Sequence, residues 1–133
     1  PLVAGFDWAY DLTPLNYSPI NAEGIAYVTH PYASKRQPPY EAKWEVDFGF
    51  AANRYPMIAS EIGFTVKPET RTENYAYGKS IVTYLEGKEI SWLAWVFDPE
   101  WYPAMYESFD TYKPTEGGEF FKQALAGKIV IPK

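Results

Sequence analysis

Glu61 is the residue of this chain whose sequence surroundings are hardest to explain without chemistry. It closes the apolar run Met57-Ile58-Ala59-Ser60 and is followed by Ile62-Gly63-Phe64, so a carboxylate interrupts a segment otherwise suited to burial. A charge in such a place is costly unless it is paired or hydrogen-bonded. Two readings stay open on residue chemistry alone: a strand-end glutamate that faces solvent or an ion-pair partner, or a carboxylate kept for acid, base or nucleophilic work. Three further apolar runs also end in polar or large aromatic groups. Asp7-Trp8 and Asp11 follow Leu2–Phe6, His30-Pro31-Tyr32 follow Ile25–Thr29, and Trp95 and Asp98 close Ile90–Phe97. His30 is the single histidine and there is no cysteine, so a zinc site would lack the second His or Cys that such sites ordinarily use. A serine-based triad would lack its G-x-S-x-G elbow.

The runs that must carry these residues are rich in β-branched and aromatic side chains and nearly continuous in apolarity, as in strands covered on both faces. Between the second and third, Trp44, Phe48, Ala51, Ala52 and Tyr55 recur at helical spacing, which predicts a helix over Tyr40–Tyr55. Tyr77, Ile81, Tyr84 and Leu85 repeat that spacing in Glu69–Glu86, with Gly87 as its expected C-terminal cap. A last helix is expected over Gly118–Ala126, whereas Thr13–Gly24, with Pro14 and Pro19, does not read as regular. Alternating strands and helices imply a parallel sheet. A doubly wound open sheet and a barrel both satisfy that order. The dinucleotide fingerprint of the first is absent, and a complete barrel takes about 250 residues. Four strands in 133 residues, one α/β domain over 1–133, would be half of such a barrel, and the open-sheet reading stands beside it. In such a barrel the strand ends named above share one face, where active sites are built.

Five Trp, twelve Tyr and eight Phe give this chain ample surface to bury. A net charge of −5 argues against a nucleic-acid partner, and no apolar run reaches the roughly 20 residues that span a bilayer. The Pro-Leu-Val start carries no targeting segment and suggests a processed or dissected product. Trp44, Phe48 and Tyr84 belong to helix faces, while Trp8, Trp92, Trp95, Trp101 and Tyr102 lie at or beyond strand ends. Flat indole faces there would suit the apolar faces of sugar rings. Strand alternation puts Ser91, Leu93 and Trp95 on one face and Trp92 with Ala94 on the other, without saying which faces the cleft.

Taken together the chain resembles the second half of glycoside hydrolase family 5. His30-Pro31-Tyr32 is similar to the family's H-x-Y after the sixth strand, and Met57-Ile58-Ala59-Ser60-Glu61-Ile62-Gly63 to the seventh-strand motif that presents the nucleophile. Ile90-Ser91-Trp92-Leu93-Ala94-Trp95 resembles the eighth strand with its sugar-stacking tryptophan, and Trp8 and Asp11 the fifth-strand end. The resemblance implies a (β/α)8 TIM barrel, this chain giving strands five to eight. It further implies retaining hydrolysis of β-1,4-glucan, with Glu61 as nucleophile, His30 and Tyr32 orienting it, and Trp95, Trp8, Asp11 and Trp101 binding substrate. No cofactor is implied, and the enzyme would be secreted or periplasmic. The family's acid/base glutamate lies in an Asn-Glu-Pro type motif that this sequence does not contain. A complementary N-terminal half-barrel is therefore the expected partner, beside a β-glucan polysaccharide or oligosaccharide. Competing expectations are a non-catalytic carbohydrate-binding module built on Trp95, Trp101 and Trp8, a half-barrel that self-associates, and a doubly wound protein with its first and last strands adjacent.

Overall fold

The four apolar runs form four strands: β1 (Leu2–Ala4), β2 (Ala26–Thr29), β3 (Met57–Ile62) and β4 (Ser91–Ala94). The computed structural model describes residues 1–128; the last five residues of the expected 1–133 domain lie outside that range. All pairings are parallel and the order is β1-β2-β3-β4. First and last strands are not neighbours, and sequential order is that of a barrel wall. The doubly wound alternative fails on this point.

One face of the sheet is dry. Val3, Tyr27, Met57, Ala59, Ile62 and Trp92 point to the side where α2 (Glu41–Asp47), α3 (Arg71–Gly87) and α4 (Glu116–Leu125) pack, and join one core with Trp44, Phe48, Tyr77, Ile81, Leu85 and Phe121. Trp44, Phe48 and Ile81 are fully buried, and each such side chain contributes roughly 2–3 kcal/mol relative to exposure. Trp92 belongs here: its ring centroid is 6.0 Å from that of Phe121, so the parity question resolves with Trp92 in the core and Ser91, Leu93 and Trp95 on the other side. Among the described residues no helix packs on that other face. Leu2 is 62% and Leu93 55% exposed, and Ala4 and Ser91 are exposed as well. An apolar face left open beside a packed one is the inner wall of half a (β/α)8 barrel.

Helix boundaries differ from the periodicity in two places. The Tyr40–Tyr55 stretch breaks at Phe48, whose φ is −150, and continues as a 3-10 turn over Gly49–Asn53. Gly49 lies under the Tyr84 hydroxyl, so closely that a Cβ would clash with it. Glycine is a weak helix former, and the side-chain rows still reach the core through Ala51. Gly87 is the last helical residue, and the left-handed turn falls at Glu89 (φ 56). The helix thus runs one residue past Glu86, and the ammonium of Lys88 that follows lies 2.6 Å from Glu45 on α2. Helix α4 begins at a side-chain cap, with Thr115 Oγ1 accepting from Gly118 N at 3.0 Å. Among the described residues no helix is long and apolar enough to cross a membrane.

Candidate active site

Strict alternation along β3 would put Glu61 on the helix-covered face with Met57 and Ala59. It does not go there. Ala59 pairs with Trp92 and Ile62 with Ala94, so β3 advances from 59 to 62 while β4 advances only from 92 to 94. The extra residue is a β-bulge, a device that re-aims a side chain at a sheet rim. Ala59 and Ile62 on either side are fully buried, whereas Ser60 and Glu61 are both partly exposed. The bulge thus turns Glu61 out of the core and toward the C-terminal rim of the strands.

There it meets the residues that follow β2. The Tyr32 hydroxyl donates to Glu61 Oε2 at 3.0 Å, and His30 Nδ1 lies 3.6 Å from the same oxygen. On its other side His30 Nε2 is 2.8 Å from Ser60 Oγ. The Glu61 and His30 side chains retain 26% and 19% of their exposure. Both partners address Oε2, and Oε1 has no hydrogen bond among the described residues, which leaves one oxygen free for a reacting atom. Burial holds the His30 imidazole below its ordinary pKa, opposed by Glu61 and reinforced by Lys35. Tyr32 is raised by burial and by its bond to Glu61, so its hydroxyl stays a donor across the working pH range.

The segment carrying His30 and Tyr32 is gripped from both sides. Tyr77 of α3 donates to Pro31 O at 2.5 Å, from a fully buried position. Toward β1, His30 N donates to Ala9 O at 3.2 Å and Thr29 Oγ1 to Tyr10 O at 3.1 Å. Asp47 at the end of α2 ties these loops together. It accepts from the Tyr10 hydroxyl at 2.5 Å and from Arg36 at 2.9 Å through one oxygen and 2.7 Å through the other. Arg36 lies just past the 3-10 turn Ala33–Lys35 that follows Tyr32. Neither Asp47 nor Arg36 stands out in the sequence, because their partners lie far away along the chain.

The aromatic residues at the rim divide into two groups. Trp95 N donates to Ile62 O at 2.8 Å, which sets its backbone beside that of β3. Gly63 makes this approach possible: a Cβ on it would stand 2.5 Å from Trp95 O. Trp95 Nε1 donates to Tyr102 O at 3.2 Å, and its ring meets that of Trp101 edge-on at 6.3 Å; Trp101 is 62% exposed. Trp8 lies on the opposite flank, 86% exposed, on the short turn α1 (Phe6–Ala9). Asp7, Trp8 and Ala9 all have left-handed φ values of 53, 53 and 65. For non-glycine residues this conformation costs about 1–2 kcal/mol each. Lys35 helps hold it, with Nζ 2.8 Å from Asp7 Oδ1 and 5.2 Å from the Trp8 ring centroid. Asp11 is engaged locally, where its Oδ1 accepts from Thr13 N at 2.8 Å, just ahead of the turn Thr13–Asn16. It makes no hydrogen bond to Glu61, His30 or Tyr32.

A groove of about 700 Å³ lined by Glu41, Lys79, Ser80, Tyr84 and Lys88 lies on the outer side of α2 and α3, away from the rim. That groove does not include Glu61, His30 or Tyr32.

No family model and no curated protein matches the chain. Solved structures do. A β-glucanase of Saccharophagus degradans solved in complex with cellotetraose is 42% identical, with a TM-score of 0.86 over 96% of this chain and 41% of its own. The native form of that β-glucanase gives 43% identity and a TM-score of 0.87 over the same shares. The catalytic domain of the major endoglucanase of Xanthomonas campestris pv. campestris, at 22% identity, matches in fold with a TM-score of 0.61 over 71% of this chain and 31% of its own. The chain thus spans about two fifths of the length of the Saccharophagus enzyme.

Proposed function

Because this chain belongs to glycoside hydrolase family 5 and forms the second half of that family's (β/α)8 barrel, we propose that it supplies the nucleophile of a retaining endo-β-1,4-glucanase. The observation that carries the reading is the single carboxylate oxygen held by Tyr32 and flanked by His30, with its other oxygen unengaged.

In the proposed reaction Glu61 Oε1 attacks the anomeric carbon. The bond to the leaving oxygen breaks as an acid protonates it, and a glycosyl-enzyme forms. The same acid group, now a base, then takes a proton from water, and the water oxygen displaces Glu61. The two carboxyl groups of such a pair stand about 5–5.5 Å apart. Among the described residues no hydrogen bond or ion pair at Glu61 involves a second carboxylate. We assign the acid/base to polypeptide matching the remaining length of the Saccharophagus relative, which closes the barrel against β1 and β4. Tyr32 orients Glu61 by donating to its Oε2. Trp95 and Trp101 on one flank and Trp8 on the other offer faces for pyranose rings, and Asp11 Oδ2 a further acceptor. The cellotetraose in the Saccharophagus complex supports a β-1,4-linked glucan as substrate. A polymeric β-1,4-glucan is too large to enter a cell, which is the reason to expect export.

The proposal is tested by complementation. The exposed inner face and the two unpaired strand edges should drive the isolated chain to self-associate. We expect size exclusion to show assemblies and glucan assays to show no hydrolysis. Joined or mixed with an N-terminal half-barrel carrying the family's acid/base, the chain should become monomeric in barrel units and active. A soluble, monomeric and active 133-residue chain would overturn it. Glucan binding without turnover in the completed barrel would instead favour a carbohydrate-binding module.

A further inference from the structure

The two nitrogens of His30 face different neighbours. Nε2 stands 2.8 Å from Ser60 Oγ and Nδ1 stands 3.6 Å from Glu61 Oε2. Ser60 and Glu61 are consecutive residues of the β3 bulge, so the extra residue lets the strand address both edges of one ring. A neutral imidazole carries a single N–H, and its partners decide where it sits. With the proton on Nε2, the Nδ1 lone pair would face a carboxylate, and the two would repel. With the proton on Nδ1, the ring turns a donor toward Glu61, and the Nε2 lone pair needs a donor of its own. A serine hydroxyl rotates freely and can be that donor. Other ionisable contributions to the ring come from Glu61 on β3 and Lys35 on the turn after Tyr32.

We infer that Ser60 is a positioning residue that fixes His30 as the Nδ1–H tautomer and so aims its proton at Glu61. The tautomer stands on this geometry alone; its bearing on catalysis rests on the nucleophile reading above. Ser60 is not a catalytic residue in this account, because it acts only through His30.

His30 is the single histidine, so its ring can be read without interference. We expect the full chain labelled with 15N-histidine to give a protonated-type shift at Nδ1 and an unprotonated-type shift at Nε2 near neutral pH. Solid-state spectra serve for the self-associated form. Ser60→Ala should collapse this preference into mixed tautomers, and Ser60→Thr should restore it. In the completed barrel Ser60→Ala should lower kcat about tenfold, the scale of one lost hydrogen bond, with KM nearly unchanged and recovery in Ser60→Thr. An Nε2–H tautomer in the wild type, or a spectrum indifferent to Ser60→Ala, would overturn the tautomer assignment. A normal kcat in Ser60→Ala would overturn the positioning role. Failure of the nucleophile reading shows elsewhere, as full activity in Glu61→Gln while the wild type keeps the Nδ1–H tautomer.

Discussion

Glu61→Gln is expected to lower the kcat of the completed barrel by about four to six orders of magnitude, the scale at which a catalytic unit loses a member. The amide has the shape of the carboxylate and can still accept from Tyr32. It carries no charge and is a poor nucleophile, so the glycosyl-enzyme cannot form. The fold should not notice. Glu61 is partly exposed and lies outside the dry face, and the unfolding free energy from urea titration should change by no more than about 0.5 kcal/mol. Glucan affinity should persist, because the aromatic faces at the rim are untouched. Lost activity with kept stability and kept binding separates a nucleophile from a structural glutamate.

Asp47→Ala is expected to destabilise the folded barrel by about 3 kcal/mol, read from the urea midpoint. Asp47 is 7% exposed and receives Tyr10, which is fully buried, together with Arg36. Breaking a buried pair costs about 3–5 kcal/mol, because a charge or a donor is left unmatched. The Arg36 side chain is 41% exposed, and water can take over much of its solvation, which places the value at the lower end. Tyr10→Phe removes one bond and strands no charge, so it should cost only about 1 kcal/mol. A cost under 1 kcal/mol for Asp47→Ala would mean that the loops bearing Tyr10 and Tyr32 are held by something else. The same variant should lower kcat beyond its effect on stability, since Arg36 anchors the turn that follows Tyr32.

Which parts of this arrangement can be read from the residues follows from the range of the forces involved. The four strands are legible because near-continuous apolar runs demand cover on both faces, and their order leaves few alternatives beyond barrel and open sheet. Glu61, His30 and Tyr32 are legible as strand-end polar groups, and the structure brings those three together. The bulge is not. Whether β3 holds an extra residue depends on its pairing with β4, and simple alternation would bury Glu61 beside Ala59. Ser60 gives no signal of its own for the same reason. The Tyr10–Asp47–Arg36 tie joins segments that no local pattern relates. The Tyr40–Tyr55 helix breaks because periodicity reports which residues are buried, and a 3-10 turn can bury Ala51 as well as an α-helix does. Trp92 needs the neighbouring Phe121 to reveal its face.

The central claim is that Glu61 forms a covalent bond to sugar, and trapping that bond tests it most directly. A 2-deoxy-2-fluoro cellobioside with an activated leaving group needs little acid assistance, while the fluorine slows an oxocarbenium-like transition state in both steps. After incubation with the completed barrel, digestion and mass spectrometry should find the fluoro-sugar on the peptide that contains Glu61, and fragmentation should put it on that side chain. A label on a different carboxylate, or a barrel that hydrolyses glucan with inversion and never acquires one, would contradict the account.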